Sequence, residues 1–265
     1  MDNKTKKLVK SVLSVVLAFF IYKIISIFTN KLPVNEPLHM FIKEVIFCIL
    51  ALVAAKINGR LDTLKFKTEG FGIGLLICAI SAVSSIISLV GSLFDGSIEV
   101  TVGPFFVVLF VIAIFILAIT EELLFRGILI NGFLDYFGEN KTYNIRKAVI
   151  ASGIAFGALH FFNIITGSSF SGALIQAISN IGSGILFGAA YVRARKNIWP
   201  GIIVHMIIDV SSFVTSGILA NVTMSEVISG FSLVSFVIPV IELAIGLFAL
   251  RKTKLLPLRK KKKDA

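Results

Sequence analysis

Residues 103–130 read GPFFVVLFVIAIFILAITEELLFRGILI, and this stretch decides the fold class. It exceeds the roughly 20 apolar residues that an α-helix needs to cross a bilayer. Two adjacent carboxylates, Glu121 and Glu122, and then Arg126 interrupt it near its end. Charged side chains inside a membrane are costly, so they mark a functional site by default. The stretch therefore predicts both a membrane helix and the location of a site.

Composition extends this prediction to the whole chain. Of the 265 residues, 56% are hydrophobic and only 15% are charged, whereas soluble domains are about a quarter charged. We predict an all-α membrane protein with about eight transmembrane helices, forming a single polytopic domain over residues 1–265. The predicted spans cover residues 8–28, 39–55, 71–94, 103–130, 148–166, 172–192, 198–218 and 227–250.

The basic residues predict how the chain is oriented. Of 26 Lys and Arg residues, 22 fall at the two termini and in alternate connections between the spans. This alternation is typical of cytoplasmic segments, so we expect both termini in the cytoplasm of a multi-pass protein of the cell membrane. Residues 251–265 would form a basic cytoplasmic tail that attracts anionic membrane lipid. The same distribution argues against nucleic acid as a partner.

The spacing of the charged cluster predicts different roles for its two carboxylates. Glu122 and Arg126 are four residues apart, so they share a helix face and can pair. Glu121 is rotated by about 100° from Glu122 and is left to face another group. If the helix continues through EELLFRGILI, Glu121 reaches the same depth as the histidines of later spans.

Those histidines lie within two other spans. His160 belongs to AFGALHFFN, whereas His205 and Asp209 are four residues apart in IIVHMIIDV and share a helix face. Together with Glu121, these groups suit the activation of a water molecule. A second histidine can stabilise an oxyanion. Alternatively, Glu121, His160 and His205 could hold zinc and leave one position for water.

The remaining polar residues within spans receive structural interpretations. Lys23, Lys43 and Glu44 lie near predicted span ends, from which their side chains can extend toward the membrane surface. Glu242 has no partner nearby in sequence and stays without an assignment.

Glycines at four-residue spacing predict close helix contact. Gly153 and Gly157 flank the His160 motif, and Gly184 and Gly188 repeat the spacing in the next span. Small residues at this spacing let two membrane helices approach closely.

Three motifs resemble those of the CPBP intramembrane endopeptidases, also called the Abi or type II CAAX prenyl protease-like family. EELLFR, which starts at Glu121, is similar to the family's E-E-x-x-x-R motif. FGALH ends at His160 and resembles F-x-x-x-H, and HMIID resembles H-x-x-x-N or H-x-x-x-D. The likeness covers about residues 118–210, which would form the protease core, and suggests the bacterial branch of the family and hence the bacterial plasma membrane.

This resemblance implies an intramembrane endopeptidase that acts on a hydrophobic or lipidated peptide substrate. Glu121 would activate water with His160, supported by Glu122 and Arg126, while His205 and Asp209 would stabilise the oxyanion or bind a metal. CAAX-type, bacteriocin and signal-peptide processing all stay open. So do two other functions, a non-catalytic peptide-binding immunity protein and a proton-coupled transporter, because buried Glu, His and Asp also relay protons.

Overall fold

The computed structural model describes residues 1–251 and Leu255, which are helical apart from short connections. The α-helices are α1 (Asn3–Thr29), α2 (Glu36–Asn58), α3 (Phe71–Ile77), α4 (Ala79–Phe94), α5 (Pro104–Glu122), α6 (Asn131–Phe137), α7 (Thr142–His160), α8 (Phe170–Arg193), α9 (Trp199–Thr215), α10 (Met224–Ser229) and α11 (Val237–Ala249). A π-helical segment (Leu123–Ile130) joins α5 to α6, and a 3₁₀ segment (Phe161–Thr166) follows α7.

The all-α membrane fold is confirmed, with differences among the spans. Five helical segments in the described part of the chain are long and apolar enough to cross a membrane. Helices α3 and α4, which are bent by 61° at their junction, are together apolar enough for a sixth span if the bent pair counts as one. The last two predicted spans contain shorter apolar helices, Trp199–Thr215 and Leu233–Ala249. The orientation of the termini stays a prediction, and the predicted basic tail falls outside the described residues except for Arg251 and Leu255.

Local signals in the sequence account for the ends of the first two helices. The Asp2 side chain accepts a hydrogen bond from the Thr5 amide at the start of α1. At the start of α2, Asn35 accepts one from the Leu38 amide. Gly59 ends α2 in the left-handed conformation, which glycine adopts without a steric penalty.

The third long segment runs without a break from Pro104 to Phe137. It begins with Pro104 in the first turn, where the missing amide hydrogen costs nothing. The helix therefore does continue through EELLFRGILI, as expected, although it widens to π geometry after Glu122. This continuity carries the charged cluster into the interior of the bundle.

Close packing of α7 against α8 confirms the contact predicted from the glycine spacing. A Cβ atom at Gly157 would lie 2.3 Å from the carbonyl oxygen of Ala177, and one at Gly184 would lie 2.9 Å from the Cα atom of Gly153. Any larger side chain would push the two helices apart. This contact places the end of α7 beside the middle of α8.

Candidate active site

Glu121 and Glu122 end α5, directly before the π-helical segment. Oε1 of Glu122 lies 2.9 Å from Nη1 of Arg126, and both side chains are 1% exposed. The pair expected from the four-residue spacing is therefore present. Two opposite charges that are buried together avoid much of the cost of burying either one alone. Glu121 lies next to this pair but contacts two histidines instead.

Aromatic rings from two helices hold the Arg126 side chain. Its guanidinium lies 4.9 Å from the ring centre of Phe156 on α7 and 5.3 Å from that of Phe187 on α8. Its Nη2 atom also donates to the carbonyl oxygen of Gly184, at 3.4 Å. A guanidinium is attracted to the negative face of an aromatic ring. The Glu122–Arg126 pair is thereby fixed in place between its own helix and two neighbours.

The π-helical geometry is stabilised by side chains that bind its carbonyl groups. Ser152 donates to the carbonyl oxygen of Phe125 at 3.1 Å, and Asn131 donates to that of Gly127 at 2.8 Å. Short π-helical segments are rare and frequent at functional sites. This one begins one residue after Glu122 and contains Arg126, so it sets the direction of the ion pair.

His160 is the last residue of α7, and its two ring nitrogens have different surroundings. Nδ1 lies 2.8 Å from the carbonyl oxygen of Phe156, which can only accept, so Nδ1 carries a proton. Nε2 faces Oε1 of Glu121 at 3.6 Å. In the neutral ring, Nε2 is therefore an acceptor that faces another acceptor.

His205 lies on α9 between three carboxylates. Its Nδ1 atom is 3.2 Å from Oε1 of Glu122, whereas its Nε2 atom is 3.6 Å from Oε2 of Glu121 and 3.5 Å from Oδ2 of Asp209. The Phe187 ring stacks on the imidazole, with ring centres 5.6 Å apart. Ionised carboxylates can only accept hydrogen bonds, so both ring nitrogens of His205 are placed to donate.

The structure thus brings all six predicted site residues together. They come from the end of α5 with the following π-helical segment, from the end of α7 and from the middle of α9. They are Glu121, Glu122, Arg126, His160, His205 and Asp209. Glu121 is central, because each of its two carboxylate oxygens faces a different histidine.

One supporting residue was missed in the sequence. A Cβ atom at Gly201 would lie 2.8 Å from Oε2 of Glu122, so a side chain here would displace that carboxylate. Gly201 lies one helical turn before His205. This spacing was the only feature of the sequence that could have indicated a role for Gly201. Nothing in the spacing alone indicated that the backbone of α9 approaches Glu122 so closely.

The structural interpretation of Lys23, Lys43 and Glu44 was wrong about where these side chains lie. They are 8%, 4% and 0% exposed, so none extends to the membrane surface. The Tyr22 hydroxyl donates to Oε1 of Glu44 at 2.6 Å, and the Lys23 ammonium donates to Oδ1 of Asn163. These side chains find polar partners on neighbouring helices in the interior, and the resulting hydrogen bonds offset part of the free-energy cost of burying them.

Glu242, left unassigned from the sequence, forms a separate polar cluster. Its Oε1 atom accepts from the Ser81 hydroxyl at 2.6 Å, and its Oε2 atom accepts from the Ser183 hydroxyl at 2.5 Å. The three residues lie on α11, α4 and α8. The partners of Glu242 are distant in sequence, which is why the sequence did not reveal them.

The zinc alternative would need three of these side chains to converge on one point. Within residues 1–251 and Leu255, no group of three or more His, Cys, Asp or Glu side chains is placed to hold a metal ion. Zinc ligands must converge to about 2.0–2.2 Å from one point. Here Glu121 directs one oxygen to each histidine instead. Zinc binding by Glu121, His160 and His205 stays a prediction, and no step of the proposed reaction depends on it.

Residues 103–211 match a family model described as Type II CAAX prenyl endopeptidase Rce1-like. This range contains all six residues of the cluster and nearly coincides with the protease core predicted over 118–210. Searches of curated proteins and of solved structures gave no significant match.

Proposed function

Because residues 103–211 match the Type II CAAX prenyl endopeptidase Rce1-like family model, we propose that this multi-pass membrane protein hydrolyses peptide bonds with a water activated by Glu121 and His160. The observation that carries the proposal is the position of Glu121. Each of its carboxylate oxygens lies 3.6 Å from the Nε2 atom of a different histidine. A carboxylate with an acceptor on one side and a donor on the other can take a proton and direct it.

The contact between Glu121 and His160 suits a bound water. Their facing atoms are both acceptors, and 3.6 Å is longer than a direct hydrogen bond. A water molecule can donate one hydrogen to each and so bridge them. Its oxygen lone pairs would then face away from both residues, toward a substrate carbonyl carbon.

Hydrolysis then needs one proton to move twice. Glu121 takes a proton from the water as its oxygen forms a bond to the carbonyl carbon, giving a tetrahedral oxyanion. The C–N bond breaks when Glu121 returns the proton to the leaving nitrogen. One peptide bond and one water become a carboxylic acid and an amine, which then exchange a proton to give a carboxylate and an ammonium. A general base of this kind contributes about 10²–10⁴-fold to a rate.

His205 is the group best placed to stabilise the oxyanion. With a proton on each nitrogen, it donates from Nδ1 to Glu122, whereas its Nε2 atom faces Glu121 and Asp209. The same Nε2–H group would donate to the substrate oxygen as negative charge develops there. A preorganised donor of this kind contributes about 10²–10³-fold. Glu122, held by Arg126, positions His205 rather than reacting. Asp209 would keep the Nε2 proton directed between itself and the substrate.

The proposed substrate is an apolar or lipid-bearing peptide in the membrane. The matched family is named for CAAX prenyl substrates, and a lipid chain would concentrate such a peptide in the bilayer. The site is built inside apolar helices, so water-soluble peptides would reach it poorly. Within the bacterial branch, bacteriocin and signal-peptide processing are the corresponding proposals, and the bacterial plasma membrane is the proposed location.

The test is cleavage by the purified full-length protein in detergent. Farnesylated CAAX peptides and matched apolar peptides without lipid would be incubated with wild-type protein and with Glu121→Gln, and products identified by mass spectrometry. We expect Glu121→Gln to reduce cleavage by about 10²–10⁴-fold. Glu99→Gln, at an exposed carboxylate in the α4–α5 connection, is the matched control. Cleavage by Glu121→Gln at the rate of the control would refute the proposal.

Zinc content, measured on the same protein, separates the two mechanisms. Stoichiometric zinc with chelator-sensitive cleavage would assign Glu121, His160 and His205 as ligands. Cleavage that persists in metal-free protein and disappears in Glu121→Gln would support the glutamate mechanism.

The non-catalytic immunity function differs in its dependence on His160. A protein that only captures a peptide in the membrane would protect cells from a bacteriocin equally well after His160→Ala. Water activation requires the His160 ring, so a peptidase would lose cleavage in the same variant. Protection that survives His160→Ala without any detectable cleavage would favour capture.

A further inference from the structure

A polar cavity of about 260 Å³ lies beside the candidate active site, outside the six residues already described. The end of α1, the start of α2, the 3₁₀ segment after α7 and the start of α10 form its walls. It is therefore at the end of the bundle opposite the N-terminus of α1. Asn30 and Thr223 are exposed and line its mouth.

Two lysines in the wall of the cavity are buried. Lys23 and Lys43 both line it, against a single lining carboxylate, that of Glu36. Oε1 of Glu36 lies 3.7 Å from the Lys43 ammonium, and its Oε2 atom lies 3.2 Å from Nδ1 of His39. In the part of the chain that the structure describes, Lys23 has no ion-pair partner. A buried cation such as Lys23 marks a functional site in a membrane helix.

The position of Lys23 connects the cavity to the candidate active site. Its ammonium lies 5.3 Å from the ring centre of Phe19, and that ring centre lies 5.9 Å from the ring centre of His160. The neutral acceptor that Lys23 binds, Asn163, follows His160 by one helical turn. One aromatic ring therefore separates the buried cation from the histidine proposed to bind the water.

This separation suits a peptide that ends in the cavity. An extended chain covers about 3.3–3.6 Å per residue, so two or three residues reach from the region of His160 to Lys23. The cavity is smaller than the roughly 300–1,000 Å³ of sites that enclose a drug-sized ligand. It can therefore take a chain end or one acidic side chain rather than a long segment. A carboxylate there would give Lys23 a direct ion-pair partner.

We propose that this cavity binds a carboxylate of the substrate, in the first instance the free C-terminus of the peptide, through Lys23 and Lys43. The inference rests on the proposed peptidase function. Lys23 would exchange its neutral partner Asn163 for the carboxylate, and the C-terminus would then set the distance from the chain end to the cleaved bond. An Asp or Glu side chain of the substrate is the other source of the same chemistry.

The test compares apolar peptides of matched sequence with wild-type full-length protein in detergent. One set ends in a free carboxylate, a second in an amide, and a third in an amide with an acidic residue near the end. Binding is measured by fluorescence anisotropy and cleavage by product formation. A charge-assisted hydrogen bond corresponds to roughly 10- to 100-fold in affinity, so amidated peptides should bind that much more weakly and show a raised KM with little change in kcat.

Variants then locate the effect. Lys23→Gln should abolish the preference for the carboxylate, and Lys43→Gln should reduce it. Lys31→Gln is the matched control and should keep the preference. Lys31 is an exposed lysine in the connection between α1 and α2, the two helices that carry Lys23 and Lys43. Recovery of tight binding by the third peptide set would identify an acidic side chain as the source of the carboxylate.

Several outcomes overturn the inference without overturning the proposed function. Equal affinity of wild-type protein for acid and amide peptides would refute it even if a variant failed to fold. So would an unchanged preference in Lys23→Gln. Tight, Lys23-dependent binding of acid peptides without any cleavage would instead refute the peptidase function and leave the carboxylate site in place.

Discussion

Two of the buried glutamates in this helix bundle, Glu242 and Glu121, have different surroundings. Glu242, on α11, binds two serine hydroxyls at 2.6 and 2.5 Å, one at each carboxylate oxygen. Glu121, at the end of α5, faces two histidine nitrogens at 3.6 Å, and neither contact is short enough for a direct hydrogen bond. Both side chains avoid solvent, with exposures of 2% and 5%.

The difference separates a packing role from a chemical one. A buried carboxylate with a short hydrogen bond at each oxygen is already satisfied and holds helices together. A buried carboxylate whose neighbours stand too far away for a direct bond has capacity left for a water or a substrate. Burial alone therefore does not identify the site; the distances to the partners do. Four substitutions test this distinction, from the largest expected effect to the smallest.

Removing Arg126 should have the largest effect on stability. In Arg126→Met the Glu122 carboxylate stays buried without its partner, so we expect a loss of about 3–5 kcal/mol in the free energy of unfolding. Thermal unfolding in detergent measures it. Arg195→Met is the control, because Arg195 pairs with the exposed Glu69 and should contribute less than about 1 kcal/mol. Equal melting temperatures for the two variants would contradict the buried ion pair.

Replacing His205 should reduce turnover more than binding. In His205→Gln the ring that faces both Glu121 and Asp209 is lost, and we expect kcat to fall by about 10²–10³-fold. Steady-state cleavage of the peptide used for the wild-type protein measures kcat and KM separately. A raised KM with wild-type kcat would mean that His205 binds substrate and does not stabilise the transition state.

Filling the contact between α7 and α8 should strain the bundle. A leucine at Gly157 would collide with the Ala177 carbonyl oxygen, and overpacking of this kind costs about 1–3 kcal/mol. Cleavage should fall as well, because His160 lies one helical turn further on α7. Gly91→Leu is the control, since no atom lies within 4 Å of a Cβ placed there. If Gly157→Leu had the same melting temperature as Gly91→Leu and cleaved at the wild-type rate, the α7–α8 contact would contribute neither to stability nor to activity.

Removing one of the two serine hydroxyls that bind Glu242 should have the smallest effect on stability. Polar contacts between membrane helices contribute about 0.6 kcal/mol on average, so Ser183→Ala should lower the free energy of unfolding by that order. Cleavage should not change, because Ser183 belongs to the packing cluster. A large loss of activity in Ser183→Ala at unchanged stability would place this cluster in the reaction.

The sequence predicted much of this arrangement because short-range rules govern it. Long apolar runs are sufficient for membrane helices, and i,i+4 spacing is sufficient for the Glu122–Arg126 contact. The same spacing placed His205 and Asp209 on one face, and the glycine spacing predicted the α7–α8 contact. Each of these inferences involves residues within a turn or two of one helix, or a close approach that small residues alone permit.

The parts that the sequence did not reveal depend on contacts between distant segments. The π-helical geometry after Glu122 is stabilised by Ser152, which lies on α7. Gly201 matters only because α9 approaches Glu122. Lys23 and Glu44 were expected at the membrane surface, but partners on other helices hold them inside. The spacing of residues within a single helix does not indicate which residues of other helices they contact.

The most direct test of the central claim exchanges Glu121 and Glu242, one at a time, for glutamine and measures melting temperature and cleavage together. We predict opposite results. Glu121→Gln should lose about 10²–10⁴-fold in cleavage and keep its melting temperature, whereas Glu242→Gln should melt earlier and cleave normally once folded. If Glu242→Gln lost cleavage at an unchanged melting temperature, or Glu121→Gln cleaved at the wild-type rate, the distinction between the two carboxylates would be wrong.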